Sequence, residues 1–563
     1  MGNGIAPRES AAPAQATSVD REVDVVVVGA GGGGFPAALY SRWLGNEVVV
    51  LEKAAEVGGT AKKAAFWYWV PNNEAMKSAG MADTKEDFLR YVARLSRPQA
   101  YDANDPKLGL SDWDYDLCEA IYDNASEATQ QLSQKNVLPY IHCAAVPDYW
   151  SEIPEDKAPY GRVLLPDGAR PTMSDGGEVA VRRFAEAAQR DGVDVLASHR
   201  VQRALTDPSG RVVGVEATRA DGSRAAFRAR KGVIFATGGF THNVELRRNF
   251  LNVPVYGGCA APTNEGDFVY IASALGAQLR NMNYAWMCPV SLEKAVKQDP
   301  SLIGMFSVAG DSMIWVNKTG RRMVNEKLQY NELAQTFFSW DGINCEYPNL
   351  VQIQVWDQRS QDHSASDEYG RLIVPPGEDD SHVIKGETLD ELATNIGRRL
   401  ERYESVTGGL RLSDDFADNL RQSIERFNGY ARTGVDEEHH RGERPVQFLF
   451  NGNVKEEPDS PNVTMYPISE SGPYYAALVA GGTLDTKGGP KTNRHGQVVN
   501  DQDEPIPGLY GVGNCVASAS AQAYWAGGAT LGPILAFAYL AAQAIDKESE
   551  SRAPATQQAA VAG

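Results

Sequence analysis

The feature that most constrains this chain is Gly29-Ala30-Gly31-Gly32-Gly33-Gly34, set directly behind a valine-rich run at residues 23–28. A short apolar run of this kind reads as a strand buried on both faces of a parallel sheet. Residues 35–44 carry helical spacing, and residues 47–52 read as a second strand, so about thirty residues make one strand–helix–strand unit. Within it Gly29, Gly31 and Gly34 form GxGxxG. The first glycine permits the tight turn and the second lets a pyrophosphate approach the backbone. The third lets helix and strand pack closely, and the helix N-terminus attracts the phosphate charge. Glu52 ends the second strand, where a carboxylate accepts hydrogen bonds from ribose hydroxyls.

Lys53 follows, and then Gly58-Gly59-Thr60, a second place where backbone can come close to a ligand. FAD-binding domains commonly carry this second element and NAD-binding domains generally do not. Only one nucleotide fingerprint is visible, so no built-in NADH site is expected. Two further buried-strand patterns lie far along the chain: residues 233–236, ending in Thr237-Gly238-Gly239, and residues 509–512, ending at Gly513. Distant segments are thus predicted to build one sheet. Between them the texture changes. A hairpin is predicted from residues 312–317 and 321–325 around Lys318-Thr319-Gly320, followed by a helix-rich region at 389–431. The expected fold class is α/β: a two-part Rossmann-like FAD-binding domain (22–284 and 466–548) with an inserted α+β catalytic domain (285–465). Disordered tails are expected at 1–21 and 549–563.

Charge excludes one class of partner. Lys plus Arg number 54 against 73 for Asp plus Glu, a formal charge of -19, and that field repels nucleic acid and anionic membrane. The six cysteines show no CxxC pair and read as reduced, buried thiols of a cytoplasmic protein. Residues 517–545 carry no charge, but Gly527, Gly528, Gly532 and Pro533 interrupt them, so a buried core helix is expected rather than a membrane span. His439 and His440 are adjacent, and helical neighbours point about 100° apart, so they read as solvated surface and no metal site is expected.

Residues 25–34, Gly58-Gly59-Thr60, Ala236-Thr237-Gly238-Gly239, the run from Gly508 to Asn514, and Gly528-Ala529-Thr530-Leu531-Gly532-Pro533 together resemble the fumarate reductase and 3-ketosteroid dehydrogenase superfamily of FAD enzymes. The resemblance spans residues 22–548 and implies non-covalent FAD, with the substrate held against it where the domains meet. It assigns Gly29, Gly31, Gly34, Glu52, Lys53, Gly59, Thr60, Thr237, Gly238, Gly513, Asn514, Thr530 and Leu531 to the cofactor. Thr530 to Pro533 would begin a long buried helix whose N-terminus favours an anionic reduced flavin. Asn264-Glu265-Gly266-Asp267 would cap another helix.

Fumarate-reducing members hold a dicarboxylate with arginines, because two carboxylates in a dry pocket need fixed bidentate cations. One such arginine belongs four residues beyond Glu326, where this chain has Tyr330. The other belongs in the loop that here reads Ala521-Gln522-Ala523-Tyr524-Trp525-Ala526-Gly527-Gly528. Tyrosines at both places resemble the 3-ketosteroid Δ1-dehydrogenases. Carried over, the Tyr524 hydroxyl and the Gly528 N–H would hold the substrate carbonyl oxygen, and Tyr330 would be the base for the proton beside it. Tyr149, or its neighbour Trp150, would support that base. Phe66-Trp67-Tyr68-Trp69 stands where relatives carry small residues and would narrow the pocket. Ala526 replaces the Ser of Δ4-desaturating relatives. The expected activity is dehydrogenation of a cyclic ketone, a 3-ketosteroid first, to the conjugated enone. The alternative is reduction of an enone or enoate in reverse. The expected partners are a small hydrophobic ketone and an external electron acceptor or donor.

Overall fold

The computed structural model describes residues 19–170, 175–301, 310–364, 379–451 and 460–549. The expected tails therefore lie almost wholly outside the described residues, and Arg21, counted with the first of them, opens a strand. That strand, β1 (Arg21–Val28), is followed by helix α1 (Gly34–Trp43) and strand β2 (Val48–Leu51). All four residues of β2 and the last four of β1 are buried, as strands covered on both faces must be.

β1 lies at the centre of an eight-stranded sheet, parallel to β2 on one side and to Arg224–Phe235 on the other. Pro505–Gly511 adds parallel to Arg224–Phe235, and Asp194–Leu196 adds parallel to β2. The chain thus leaves β1 in one direction and returns on its other side, so a crevice opens beyond Val28, Leu51 and Phe235, where ligands of such sheets sit. His199–Thr206 and Val212–Arg219 extend the sheet as antiparallel strands.

A second, antiparallel sheet has the order Ala285–Ser291, Tyr474–Thr486, Val351–Asp357, Met313–Val316, with Ile384–Gly386 also on Tyr474–Thr486. Leu392, Ile396 and Leu400 of the helix Leu389–Glu401, with Leu420 and Phe427 of the helix Phe416–Thr433, pack into its apolar core. The strand Tyr474–Thr486 falls inside 466–548, yet all its ladder pairs are with this second sheet.

Of the predicted hairpin the turn forms, with Gly320 N donating to the Asn317 carbonyl at 2.9 Å and Asn317 N to the Arg321 carbonyl at 3.0 Å, but the two-stranded ladder does not. Its first arm is the strand Met313–Val316, but that strand pairs with Val351–Asp357, and the second arm touches it only at the bridge between Val316 and Arg322. The reason is a side chain in the ladder's place: the Trp315 N–H donates to Glu326 Oε1 at 3.0 Å. Glu326 is in turn held by Arg322 at 2.8 Å and Arg441 at 3.2 Å. The uncharged run 517–545 is also not one helix. Residues 517–530 form turns, and the helix is Leu531–Asp546. Among the described residues no helix is long and apolar enough to cross a membrane. The cysteines are free, but Cys345 is exposed and Cys143 half-buried, so not all are the buried thiols expected. His440 is exposed and pairs with Glu443, while His439 is half-buried.

Candidate active site

One elongated cavity runs from the C-terminal end of β1 to the seam between the two sheets. Its walls include Gly29, Gly31, Glu52, Lys53, Gly59, Thr60, Thr237, Gly238, Gly513, Asn514, Thr530 and Leu531, and also Tyr149, Tyr330, Tyr524 and Gly528. Of the residues expected from sequence, only Gly34 does not line it. Its place is structural: a Cβ there would lie 1.8 Å from the Gly29 carbonyl oxygen, so glycine is what lets α1 close on β1.

The near end fits FAD by its own geometry. Gly29 has φ +103°, and a Cβ there would meet the Ala236 carbonyl oxygen at 2.5 Å. At Gly31 the nearest atom to an added Cβ would be 3.7 Å away, so that backbone faces open cavity as a pyrophosphate cradle requires. The N-terminus of α1 faces the same space, where its free N–H groups favour anionic oxygens. Glu52 accepts hydrogen bonds from Ala30 N and Ala54 N, each at 2.8 Å, which fixes its carboxylate at the end of β2. Lys53 is held by Glu265 at 2.8 Å and Asp267 at 2.9 Å. Those two acids are therefore more than caps: the N-cap of the helix Asp267–Ser273 is Gly266, with no side-chain cap bond. Asn264 accepts from Thr241 N and donates to Asp485.

At the far end three tyrosines meet. Tyr149, Tyr330 and Tyr524 are 2%, 5% and 5% exposed, with ring centroids 5.0 to 5.6 Å apart. The Tyr149 hydroxyl donates to the Tyr330 hydroxyl at 2.7 Å. The Thr530 hydroxyl donates to the Tyr524 oxygen at 3.3 Å, leaving the Tyr524 proton for another acceptor. Gly528 borders the cavity with φ +89°. Its carbonyl accepts from Trp69 N and Gly532 N at 3.0 Å each, and its N–H makes no hydrogen bond to any described residue. Burial pushes the Tyr330 phenol well above its ordinary range, and Tyr149 and Tyr524 push it the same way. Burial also raises Tyr524.

Two of the tyrosines, Tyr330 and Tyr149, adjoin buried charge clusters that no local sequence pattern announces. Tyr330 begins the helix Tyr330–Gln335, just after the buried group of Glu326, Arg322, Asp436 and Arg441. Burial works to raise the Glu326 carboxyl, but the arginines outweigh it and hold it at about 2. Tyr149 follows Asp148, which binds the fully buried Arg162 and accepts from Trp69 Nε1 at 2.7 Å. Arg162 also pairs with Asp83 at 2.8 Å and Asp156 at 3.2 Å. With three carboxylates on one guanidinium, burial prevails over Arg162's attraction. Asp148 is pushed up to about 8 and Asp156 to about 6.

A carboxyl whose folded value is raised holds its proton more tightly when folded. Its contribution to stability is therefore complete below about pH 4 and is lost as pH rises through about 8. The midpoint of thermal unfolding is expected to fall by about 2 °C or more between pH 6 and pH 9. Asp148→Asn should flatten that fall, and scanning calorimetry of both proteins across this range measures it. An equal fall in the variant would remove Asp148 as its source.

Sequence reasoning missed Trp286, Phe450 and Asp485, which also line the cavity. Asp485 Oδ2 accepts from Gly239 N, Asn264 Nδ2 and Asn514 Nδ2 at 3.0 to 3.1 Å. The available signal was Asp485-Thr486-Lys487, a polar run directly behind the apolar stretch 476–484. Among the described residues no group of three or more His, Cys, Asp or Glu side chains could hold a metal.

Known proteins resemble this chain in sequence and in fold. Residues 24–531 match the FAD binding domain family. The chain is 32% identical to 4-oxocyclohexanecarboxylate 2-dehydrogenase of Sinomonas cyclohexanicum, over 93% of this chain and 92% of that one. It is 28% identical to 3-oxosteroid 1-dehydrogenase of Mycolicibacterium smegmatis, over 93% and 97%. Its fold matches the crystal structure of 3-ketosteroid Δ1-dehydrogenase from Sterolibacterium denitrificans, with a TM-score of 0.77 at 24% identity, covering 93% of this chain and 99% of that one. The chain belongs to the FAD binding domain family, and it is an FAD-dependent oxidoreductase of the superfamily that the glycine motifs and the paired tyrosines resemble.

Proposed function

We infer that this enzyme dehydrogenates a cyclic ketone beside its carbonyl to give the conjugated enone. The observation that carries the reading is the meeting of Tyr149, Tyr330, Tyr524 and the free Gly528 N–H at one end of a cavity whose other end fits FAD. Tyr524 Oη–H and Gly528 N–H hold the carbonyl oxygen, and both bonds strengthen as enolate charge develops. Tyr330 takes the proton from the adjacent carbon, and Tyr149 holds the Tyr330 hydroxyl in line for it. FAD, when bound, supplies the acceptor for the hydride that leaves the neighbouring carbon, and an external acceptor later removes both electrons. The substrate end draws on all three expected segments: Tyr149 comes from 22–284, Tyr330 from 285–465, and Tyr524 with Gly528 from 466–548.

A 3-ketosteroid is the first candidate substrate. A specific observation favours a second, the single-ring ketone: a Cβ at Gly527 would lie 2.7 Å from the Trp67 ring. Trp67 therefore presses on the loop that carries Tyr524 and Gly528 and narrows the substrate end. The relative from Sinomonas acts, by its name, on a one-ring oxo acid. Anaerobic titration of the yellow holoenzyme with 4-androstene-3,17-dione and, separately, with 4-oxocyclohexanecarboxylate tests both. Loss of the flavin absorbance with either ketone is the expected result and assigns the ring size. No loss with either, together with reoxidation of reduced enzyme by the matching enone, would overturn the dehydrogenase reading in favour of enone reduction.

A further inference from the structure

Tyr524 is reached through a turn, Ala521-Gln522-Ala523, that has no ladder or helix to satisfy its backbone. Ala521 adopts φ +44°, in the left-handed region that an alanine enters only when its surroundings hold it there. What holds it is a pair of side chains from other elements. Lys487 Nζ donates to the Ala521 carbonyl at 3.0 Å and also to the Ala523 carbonyl. Asn331 Nδ2 donates to the Gln522 carbonyl between them at 3.3 Å. Three successive carbonyls are thus taken by two residues, one at the end of the strand Tyr474–Thr486 and one directly after Tyr330.

Lys487 is fully buried. Its nitrogen also lies 4.0 Å from the centroid of the Trp286 ring, and that ring packs on Tyr524 at 4.7 Å. Trp286 is itself fixed, its Nε1–H donating to Asn514 Oδ1 at 3.0 Å. An ammonium has three N–H donors, and here two meet carbonyls while the third faces an aromatic ring that attracts a cation. Burial pushes the Lys487 amine well below its usual range, and Glu332 opposes that. A charged side chain in a dry site is costly unless its partners are arranged for it. The arrangement here is spent on the approach to Tyr524.

We propose that Lys487 is a positioning residue for Tyr524: by gripping the carbonyls on both sides of Gln522 and the face of Trp286, it sets where the Tyr524 hydroxyl meets the substrate carbonyl. Asn331 ties the same turn to the helix that begins with Tyr330, so the two catalytic hydroxyls are held in one register. The kinetic part of this proposal rests on the reading given under Proposed function; the placement of the turn does not.

The test uses the FAD-loaded enzyme. In Lys487→Met, hydrogen exchange of amides 518–530 is expected to rise about tenfold or more, with exchange elsewhere unchanged. With the ring ketone that reduces the flavin, kcat should fall about a hundredfold. The double variant Lys487→Met/Tyr524→Phe should be no slower than Tyr524→Phe alone, because a residue acting only through Tyr524 has nothing left to position. Should Lys487→Met not yield holoenzyme, Asn331→Leu frees the Gln522 carbonyl and must raise exchange in the same segment. Unchanged exchange at 518–530, or kinetic losses that multiply in the double variant, would overturn the proposal. If neither ketone reduces the flavin, the function reading fails while the exchange result still decides the placement.

Discussion

Tyr330→Phe is expected to slow ketone-dependent reduction of the bound flavin by about a thousandfold or more while FAD remains bound. The substitution removes one oxygen and keeps the ring. The contacts of that ring with Tyr149, Tyr524 and Phe450, at centroid distances of 5.6, 5.0 and 5.6 Å, are therefore retained. The cofactor end is built from other elements: β1, α1, β2 and the turns after Phe235 and Gly511. A loss of rate with an unaltered flavin spectrum therefore isolates the proton transfer. The pH dependence sharpens the test. Burial and the two neighbouring tyrosines raise the Tyr330 phenol, so near neutral pH it is protonated and its basic form grows with pH. The rate in the unmodified enzyme should rise about tenfold per pH unit on the alkaline side of neutrality, and the variant should lose that slope. Stopped-flow absorbance under anaerobic conditions measures both. A near-normal rate in the variant would exclude Tyr330 as the base.

The cofactor end was legible in the sequence because each of its signals is local. A valine run, three spaced glycines and Glu52 lie within one strand–helix–strand unit, and the local geometry suits the spacing: Gly29 at positive φ, Gly31 facing open space, and Gly34 against the Gly29 carbonyl. The paired tyrosines were singled out through resemblance, at the positions it gives to arginines in fumarate-reducing members. What was illegible depends on side-chain partners that local pattern does not reveal. Trp315 gives its N–H to Glu326 rather than to a hairpin partner, and nothing in residues 312–325 announces a carboxylate that Arg322 and the distant Arg441 hold ionised. Residues 517–530 are as apolar as a helix, but their carbonyls are claimed by Lys487 and Asn331, and the Trp525 carbonyl by Tyr91 Oη and Tyr149 N. Periodicity cannot report a side-chain bond from another element, whether 11 positions away, as with Glu326, 34, as with Lys487, or 434, as with Tyr91. The strand Tyr474–Thr486 went to the second sheet for the same reason: it is apolar enough for either sheet, and only its neighbours decide.

Gly528→Ala is the other substitution expected to cost most, about a hundredfold to a thousandfold in kcat. Two effects act together. At φ +89° a side chain strains the backbone, and the added Cβ would lie 2.6 Å from both the Trp67 carbonyl carbon and Tyr68 N. Both neighbours are main chain, so no side chain can swing aside to make room. The Gly528 carbonyl meanwhile accepts from Trp69 N and Gly532 N, which ties it both to the strand Tyr68–Trp69 and to the start of the helix Leu531–Asp546. With the carbonyl held and the Cβ excluded, the preceding peptide, between Gly527 and Gly528, relieves the clash by rotating, and rotation turns the Gly528 N–H away from the position that the substrate oxygen must occupy. The Tyr524 hydroxyl is then left as the sole donor to the developing enolate. Rapid-reaction kinetics should therefore show the chemical step slowed while the yellow holoenzyme still forms. The enone product should also bind more weakly, because its carbonyl uses the same donor. A Gly528→Ala enzyme that turns over ketone at the unmodified rate would show that the carbonyl oxygen rests elsewhere. The free N–H would then be a consequence of the turn rather than half of the oxyanion site.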